Sequence, residues 1–324
     1  MSSYRGYPLF QLTETRTPHA PVVSNQGDVQ TGYGIVTTKR LIASVWVVVM
    51  VIAAVTSLMT NAQSVTATRA LSALMSQQLR CQSTRHAKPT VVLVHGAWAD
   101  ASSWSGEVNS LQEAGYVARA IANPVENLTT DSATVADFLK TISGPIVLVG
   151  HSYGGSVITN AAAGNPNVRA LVYVDALALD VGETTARLSG SDSVLLSKAP
   201  NTLYDMVPYA GAPPGAMDLY LKKDVFIHSF ANDLPQSTAV RLWSSQRAAS
   251  TSAFTTPSTA AAWRTIPSWY FSSTGDRIVT ASSKLFMAHR AHSKITEFHG
   301  GSHLTLISHP DAVMSVIGSA ICSI

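Results

Sequence analysis

The segment that most constrains this chain is a serine held between a strand pattern and a helix pattern. Residues 146–149 form a short apolar, β-branched run that predicts a buried strand, and residues 156–163 are small enough to predict a closely packed helix. Between them lies Gly150-His151-Ser152-Tyr153-Gly154-Gly155. Because so sharp a turn strains the backbone, its glycines avoid a collision between a Cβ and the neighbouring strand or helix. The turn lifts the Ser152 hydroxyl clear of the sheet and predicts a nucleophile.

Two further polar residues follow later strand patterns, in the order acid and then histidine. Asp276 follows the pattern at 267–273, and His303 follows the pattern at 294–298. A serine hydroxyl is a poor nucleophile at neutral pH, so a neutral imidazole must take its proton and a carboxylate must hold that imidazole's tautomer. We therefore predict a catalytic triad in which Ser152 is the nucleophile, Asp276 the orienting acid and His303 the base.

Three other residues compete for the acid and base roles. Asp175 follows the strand pattern at 168–174 and is an alternative acid, unless it caps the chain's entry into the next segment. His299 and His309 are alternative bases, but only His303 is preceded by the Gly-Gly-Ser sequence of a free loop.

The turn after the first strand pattern, Thr90–Val94, carries His95-Gly96-Ala97-Trp98. Gly96 lets the chain turn under the sheet, so that the backbone amide of Ala97 can face the amide of Tyr153. Two such donors form an oxyanion hole, which stabilises negative charge on a substrate oxygen. A His-Gly pair alone also fits an ordinary turn after a strand, and only the Ser152 turn downstream favours the oxyanion hole.

Strand and helix patterns alternate through residues 89–324, with one long interruption. The alternation predicts an α/β fold: a doubly wound, mostly parallel sheet with helices on both faces and its function at the carboxyl ends of the strands. Residues 177–263 instead hold six prolines and short helical patterns at 216–222 and 236–248, with no strand pattern. We predict that they form a helical lid over Ser152, whose aromatic residues and Met206 line an apolar pocket or form the lid's own core.

The first 88 residues differ in character from the rest. Residues 1–38 are polar without apolar periodicity and predict a disordered lead-in. Residues 39–62 contain a basic pair, the uncharged run 41–59 and a small-residue end, which fits a signal peptide or a membrane anchor better than a buried helix. Residues 63–88 predict a tether. We expect residues 89–324 to be exported, as a periplasmic or secreted domain or one anchored outside the cytoplasm.

Cysteine content and charge limit the partners. Cys81 and Cys322 flank the predicted domain and are free to pair in an oxidising compartment, the alternative being two unpaired thiols. The ten histidines are dispersed and two cysteines cannot build a cysteine-rich zinc site, so no metal is predicted. A net charge of +3 with scattered basic residues argues against a nucleic-acid partner.

Residues 88–324 resemble the α/β-hydrolase fold family. More narrowly, they are similar to its small, helically capped serine hydrolases, which include relatives of plant methyl-ester esterases and hydroxynitrile lyases. The resemblance implies a serine esterase for a carboxylic ester of modest size, and no cofactor. This chain departs from the family in beginning its strand patterns near the strand before His95, so the family's leading antiparallel strands are absent or replaced by the tether. The motifs that carry the resemblance are His95-Gly96-Ala97-Trp98, Gly150 to Gly155, Gly275-Asp276-Arg277 and Gly301-Ser302-His303.

Other functions remain alternatives to a serine esterase. A non-catalytic ligand-binding protein can retain the same scaffold, although an intact triad favours an enzyme. A hydroxynitrile lyase would use the same three residues, but the resembling lyases place a lysine near the triad acid, where this sequence offers only Arg277. Epoxide or haloalkane hydrolysis by the family's scheme would need an aspartate in place of Ser152.

Overall fold

Six parallel strands form the central sheet of residues 87–324, the part of the chain that the computed structural model describes. Across the sheet the strands lie in the order Val117–Ile121, Thr90–Val94, Ile146–His151, Val168–Val174, Ser268–Ser273 and Lys294–Phe298, and every neighbouring pair is parallel. The predicted doubly wound sheet is therefore confirmed. With three further strands that lie outside this sheet, β5 to β7, the strands of the described residues are β1 Thr90–Val94, β2 Val117–Ile121, β3 Ile146–His151, β4 Val168–Val174, β5 Tyr204–Val207, β6 Asp218–Leu221, β7 Ala249–Ser250, β8 Ser268–Ser273 and β9 Lys294–Phe298.

Helices connect the parallel strands, because a parallel pair requires a crossover rather than a hairpin. The helix at Ser105–Glu113 packs against the helix at Pro310–Ile321, and the helix at Leu128–Lys140 packs against the helix at Tyr153–Ala161. The helices are α1 Ser105–Glu113, α2 Leu128–Lys140, α3 Tyr153–Ala161, α4 Val194–Ser197, α5 Pro200–Leu203, α6 Lys223–Val225, α7 Gln236–Ser244, α8 Thr251–Thr255, α9 Ala281–Arg290, α10 Thr305–Ser308 and α11 Pro310–Ile321. Shorter 3₁₀ turns lie at Ala101–Trp104, Thr185–Leu188 and Ala262–Arg264, and a π-helical turn at Phe226–Phe230 follows α6.

The sheet brings its functional candidates to one edge. All six residues of β3 are buried, which explains why its sequence is a continuous apolar run rather than an alternating one. Parallel strands end at the same edge, so the residues that follow them become neighbours. Those residues are Ala97 after β1, Ser152 after β3, Asp175 after β4, Asp276 after β8 and His303 after β9.

The lid between β4 and β8 is not built from helices alone. Strands β5, β6 and β7 form a small antiparallel sheet, and the helix predicted at 216–222 is wrong because β6 lies there. In β6, Leu219 and Leu221 are buried while Tyr220 is exposed, which is the two-residue period of a strand. A run this short does not distinguish the two periodicities. The pattern at 236–248 does form a helix, α7.

The N-terminal predictions concern residues outside the described range. The lead-in, the signal or anchor segment and all but the last two residues of the tether fall there, and so does Cys81. Cys322 lies at the end of α11. Within residues 87–324, no helix combines the length and the hydropathy needed to cross a bilayer. Export and the pairing of Cys81 with Cys322 stay predictions.

One buried carboxyl group lies in the first turn of α1, away from the sheet edge. Glu107 is fully buried, and neither of its carboxyl oxygens has a hydrogen-bond partner among the described residues. Burial, reinforced by the charge of Asp311, raises the pKa of Glu107 well above its ordinary value of 4.5. The folded state therefore holds this carboxyl group in its neutral form.

We predict that Glu107→Gln stabilises the domain at neutral pH. Because the folded-state pKa is the higher one, the wild-type protein loses stability as pH rises above about 4.5, by at most about 1.4 kcal/mol per pH unit. Glutamine has the same shape and no proton to lose. Urea unfolding across this range should show an advantage of the variant that grows with pH, whereas a constant difference would contradict the prediction.

Candidate active site

Ser152 lies on a strained turn between β3 and α3. Its backbone has φ 54° and ψ −125°, a conformation that residues other than glycine rarely adopt. The turn is also crowded, since a Cβ on Gly154 would lie 2.4 Å from the carbonyl oxygen of Val94, and one on Gly150 would lie 2.6 Å from that of Gly154. The glycines of the motif are therefore required by space.

The three residues predicted as a triad meet at the sheet edge. The Nε2 atom of His303 lies 2.7 Å from the Ser152 hydroxyl, and its Nδ1 atom lies 2.8 Å from Oδ2 of Asp276. Ser152 is 5% exposed and His303 is fully buried. This arrangement requires the neutral imidazole to accept a hydrogen bond at Nε2 and to donate one from Nδ1.

The carboxylate of Asp276 is fixed at both oxygens. Its Oδ1 atom accepts hydrogen bonds of 2.8 Å and 3.1 Å from the amides of Ile278 and Val279, and its Oδ2 atom faces His303. Burial alone raises the pKa of Asp276, but the neighbouring His303 and Lys284 outweigh it and hold that pKa well below its ordinary value. Asp276 is therefore ionised.

The competing candidates lie elsewhere. His299 is exposed, and the Nε2 atom of His309 lies 3.5 Å from Oδ2 of Asp233, which is not a triad residue. Asp175 is fully buried, but among the described residues its hydrogen-bond partners are Ser273, Thr305 and Lys284 rather than an imidazole. The structure thus favours Asp276 over Asp175 as the residue that orients His303.

A second histidine, unassigned by the sequence, positions the first. The Nε2–H group of His151 donates to the carbonyl oxygen of His303 at 2.8 Å, and the two rings lie 4.8 Å apart. Burial and the neighbouring His303 lower the pKa of His151 well below its ordinary value, so His151 is neutral. The one sequence signal for this role is the place of His151 inside the serine motif. That motif does not indicate which groups the His151 side chain contacts.

The predicted oxyanion donors lie on both sides of Ser152. A Cβ on Gly96 would lie 2.6 Å from the Cβ of Ser152, so the loop that carries Ala97 packs directly against the serine. Tyr153 is the first residue of α3, where an amide has no acceptor within the helix. Among the described residues, neither the Ala97 amide nor the Tyr153 amide donates to another backbone group. Both amides are available to an oxygen atom of a substrate.

His95 supports this loop and lies outside the triad. Its Nε2 atom accepts a hydrogen bond of 3.0 Å from the amide of Asn123, so Nδ1 carries the proton and donates to the Gly96 carbonyl at 2.8 Å. Burial lowers the pKa of His95, which keeps the ring neutral. His95 therefore fixes the turn that presents Ala97.

The expectation that only Arg277 lies near the triad acid is wrong. Arg277 is exposed and donates to the carbonyl oxygen of His228, whereas Lys284 reaches back from α9 and places Nζ 2.9 Å from Oδ2 of Asp276. Lys284 and Asp276 are eight residues apart in the sequence. The sequence did not predict this contact, because a lysine within a helix pattern ordinarily lies on an exposed face.

A cavity of about 200 Å³ lies beside Ser152, under the lid. None of its 16 lining residues is charged. Met206 lies on β5, is 46% exposed and is not among them, so its predicted place in the pocket or the lid core is wrong. The aromatic lining residues are Trp98, Tyr153, Tyr204 and Phe254. Within residues 87–324, no cluster of histidine, cysteine or acidic side chains is arranged to hold a metal ion.

The chain belongs to the alpha/beta hydrolase family, whose model matches residues 91–316. It is similar to the carbendazim hydrolyzing esterase of Nocardioides sp. (strain SG-4G), with 31% identity over 113 residues, which are 30% of this chain and 46% of that protein. It is also similar to the alpha/beta hydrolase nvfD of Aspergillus novofumigatus, with 27% identity over 256 residues, which are 72% of this chain and 96% of that protein.

Two solved structures share the fold at low sequence identity. Polyneuridine aldehyde esterase has a TM-score of 0.60 at 15% identity, covering 71% of this chain and 97% of that one. An extracellular alpha/beta-hydrolase from a Paenibacillus species has a TM-score of 0.57 at 22% identity, covering 72% of this chain and 98% of that one. These likenesses confirm the fold.

The contacts of the two aspartates generate a prediction about the reactivity of Ser152. Asp276→Asn should slow labelling of Ser152 by a fluorophosphonate by about 10³- to 10⁴-fold, because the wrong imidazole tautomer is then favoured. Asp175→Asn should slow it by no more than about tenfold. The labelling rates can be measured by intact-protein mass spectrometry, and the reverse ranking would assign the orienting role to Asp175.

Proposed function

We propose that residues 87–324 form a serine esterase that cleaves a small, uncharged carboxylic ester through an acyl-enzyme on Ser152. The observation that carries this proposal is the continuous hydrogen-bonded series from Ser152 through His303 to Asp276. Its Ser152 end lines an apolar cavity in a member of the alpha/beta hydrolase family. The esterase names of similar proteins support the reaction class.

The proposed mechanism gives each of these residues a role in acylation. His303 Nε2 takes the hydroxyl proton as Ser152 Oγ attacks the ester carbonyl carbon, and the amides of Ala97 and Tyr153 face the oxyanion that forms. His303 then gives the proton to the departing alcohol oxygen, which leaves an acyl group on Ser152. Ionised Asp276 holds the Nδ1–H tautomer and stabilises the imidazolium that forms transiently.

Deacylation repeats the same steps with water as the nucleophile. A water molecule that replaces the alcohol gives a proton to His303 and attacks the acyl carbon, and His303 returns the proton to Ser152 Oγ. The products are the carboxylic acid and the free enzyme.

The wall of the cavity indicates an apolar, uncharged substrate. The Trp98 indole N–H donates to the Leu219 carbonyl oxygen at 2.9 Å, and the Tyr153 hydroxyl donates to Asp131 at 2.7 Å. The hydroxyls of Ser189 and Thr255 donate to backbone carbonyls at 3.3 Å and 3.1 Å. Most polar groups of the wall are thus already paired, and a charged group buried against them would lose its hydration without compensation.

The contacts of Lys284 disfavour the lyase alternative. An ammonium group has three N–H donors, and those of Lys284 lie against Asp175, Asp276 and the carbonyl oxygen of Ser273. No donor is left to bind a cyanide ion. A non-catalytic binding protein does not require the hydrogen-bonded series at Ser152, and this series favours the enzyme.

The first functional test is the removal of the nucleophile. Ser152→Ala should lower kcat for a short-chain aryl ester by about 10⁴- to 10⁶-fold and leave the circular dichroism spectrum and thermal midpoint close to those of the wild-type protein. Ser308→Ala, at a hydroxyl that contacts Asp233 outside the site, serves as the matched control. Substantial turnover by a folded Ser152→Ala protein would disprove the acyl-enzyme proposal.

The second test varies the charge of the substrate at nearly constant shape. Methyl hydrocinnamate should be hydrolysed with a kcat/KM at least about 100-fold higher than that of its para-carboxylate derivative, because the cavity does not compensate a buried charge. The para-carboxamide derivative matches the carboxylate in size and should lie close to the parent ester. Equal values for the carboxylate and the carboxamide would contradict an uncharged substrate class.

A further inference from the structure

Lys284 is a fully buried lysine behind the triad, and the acyl-transfer steps above assign it no role. Its side chain is 0% exposed, although lysine is almost never fully buried unless it is paired. Its Nζ atom lies 2.5 Å from Oδ1 of Asp175, 2.9 Å from Oδ2 of Asp276 and 2.9 Å from the carbonyl oxygen of Ser273. All three N–H donors are therefore used.

One oxygen atom links Lys284 to the proposed base. Oδ2 of Asp276 is shared by the Nζ atom of Lys284 at 2.9 Å and the Nδ1 atom of His303 at 2.8 Å. The other oxygen of Asp276 is held by two backbone amides. A rotation of this carboxylate would break contacts with α9 as well as with His303, so Lys284 fixes the direction in which Asp276 presents its charge.

Asp175 balances the charge that Lys284 brings into the site. Its oxygens also accept hydrogen bonds from the Ser273 amide at 2.7 Å, from the Ser273 hydroxyl at 2.8 Å and from the Thr305 hydroxyl. The two carboxylates and the ammonium group of Lys284 that pairs with both of them together carry one net negative charge. That charge is neutralised when His303 takes the proton of Ser152.

We infer that Lys284 is a positioning residue of the active site: it orients Asp276 and, together with Asp175, sets the net charge that faces His303 to a single negative one. The inference rests on the proposed function, since it concerns the same triad. Burial alone lowers the pKa of Lys284, but the two carboxylates outweigh it and raise that pKa, so the cation persists throughout the working pH range.

Several groups surround the His303 ring and must be counted in its electrostatics. His95 and His151 are neutral and contribute no net charge. Burial, with the nearby Asp175 charge, raises the pKa of Tyr270 well above its ordinary value, so its hydroxyl is neutral as well. Phe230 packs its ring 5.1 Å from that of His303. Within residues 87–324, the charged side chains hydrogen-bonded to one another and to His303 in this set are Asp175, Asp276 and Lys284.

The inference predicts opposite shifts of the pH profile for the two partners of the ion pair. Lys284→Met leaves two buried negative charges, which favours the protonated imidazole, so the acidic limb of kcat/KM for a neutral ester should move to higher pH by about one to two units. Asp175→Asn removes a negative charge and should move that limb to lower pH. The double variant Lys284→Met/Asp175→Asn restores one net negative charge, and its limb should return toward that of the wild-type protein.

Arg277→Met is the matched control, because it removes a positive charge one residue from Asp276 at an exposed site. Solvent screens that charge, so the acidic limb of the kcat/KM profile of Arg277→Met should coincide with that of the wild-type protein. Active-site titration with the fluorophosphonate corrects every rate for the folded fraction. A Lys284→Met protein that labels fully but keeps the wild-type limb would show that Lys284 only packs the core and would overturn the inference.

Failure of Lys284→Met to fold does not remove the test. Asp175→Asn alone must still move the acidic limb to lower pH, and the double variant, which buries no unpaired charge, must still match the wild-type limb. An unshifted limb in Asp175→Asn would overturn the inference. The proposed function fails separately, if Ser152→Ala retains turnover while the limbs of the other variants move.

Discussion

The strained backbone at Ser152 is the constraint on which the site depends. A residue with a Cβ in this conformation costs of the order of 1 to 3 kcal/mol, and the surrounding sheet must hold it there. The Ser152 amide donates to the carbonyl oxygen of Val174 at 3.3 Å, and its own carbonyl oxygen accepts from the amides of Gly155 and Leu177 at 2.9 Å and 3.2 Å. Hydrogen bonds to the end of β4, to the segment just after it and to the start of α3 thus hold the turn in this conformation.

The same constraint explains why small residues surround the serine while large ones lie one shell further out. Glycines at 96, 150 and 154 let β1, β3 and α3 approach one another, and no larger residue fits without displacing backbone. Beyond them, the lid closes the site with Trp98 stacked between Tyr204 and Phe254, at centroid distances of 5.8 Å and 5.4 Å. The Ser152 hydroxyl therefore lies between the closely packed backbone of the turn and the apolar rings of Trp98, Tyr204 and Phe254.

Much of the fold could be predicted from the sequence, because parallel strands buried on both faces have a distinct local pattern. The bounds of β1 and β4 agree with their apolar runs, and the order of Ser152, Asp276 and His303 follows from the topology. Strand β6 was missed because its run is too short to distinguish a helix period from a strand period. Lys284 and His151 were missed for a different reason. Their roles depend on contacts between segments far apart in the chain, and no local period or motif records such contacts.

The site also joins segments that are far apart in sequence, and this has a consequence for the order of events during synthesis. Ser152 and His303 are separated by 151 positions, and β9 is the last strand of the sheet in chain order. The contact between Ser152 and His303 cannot form until the chain has been synthesised through His303, and contacts of such long range form slowly. A growing or truncated chain can hold a well-formed serine turn and still be chemically silent. Turnover by a newly made molecule would therefore show that β9 and the loop that carries His303 have joined the sheet.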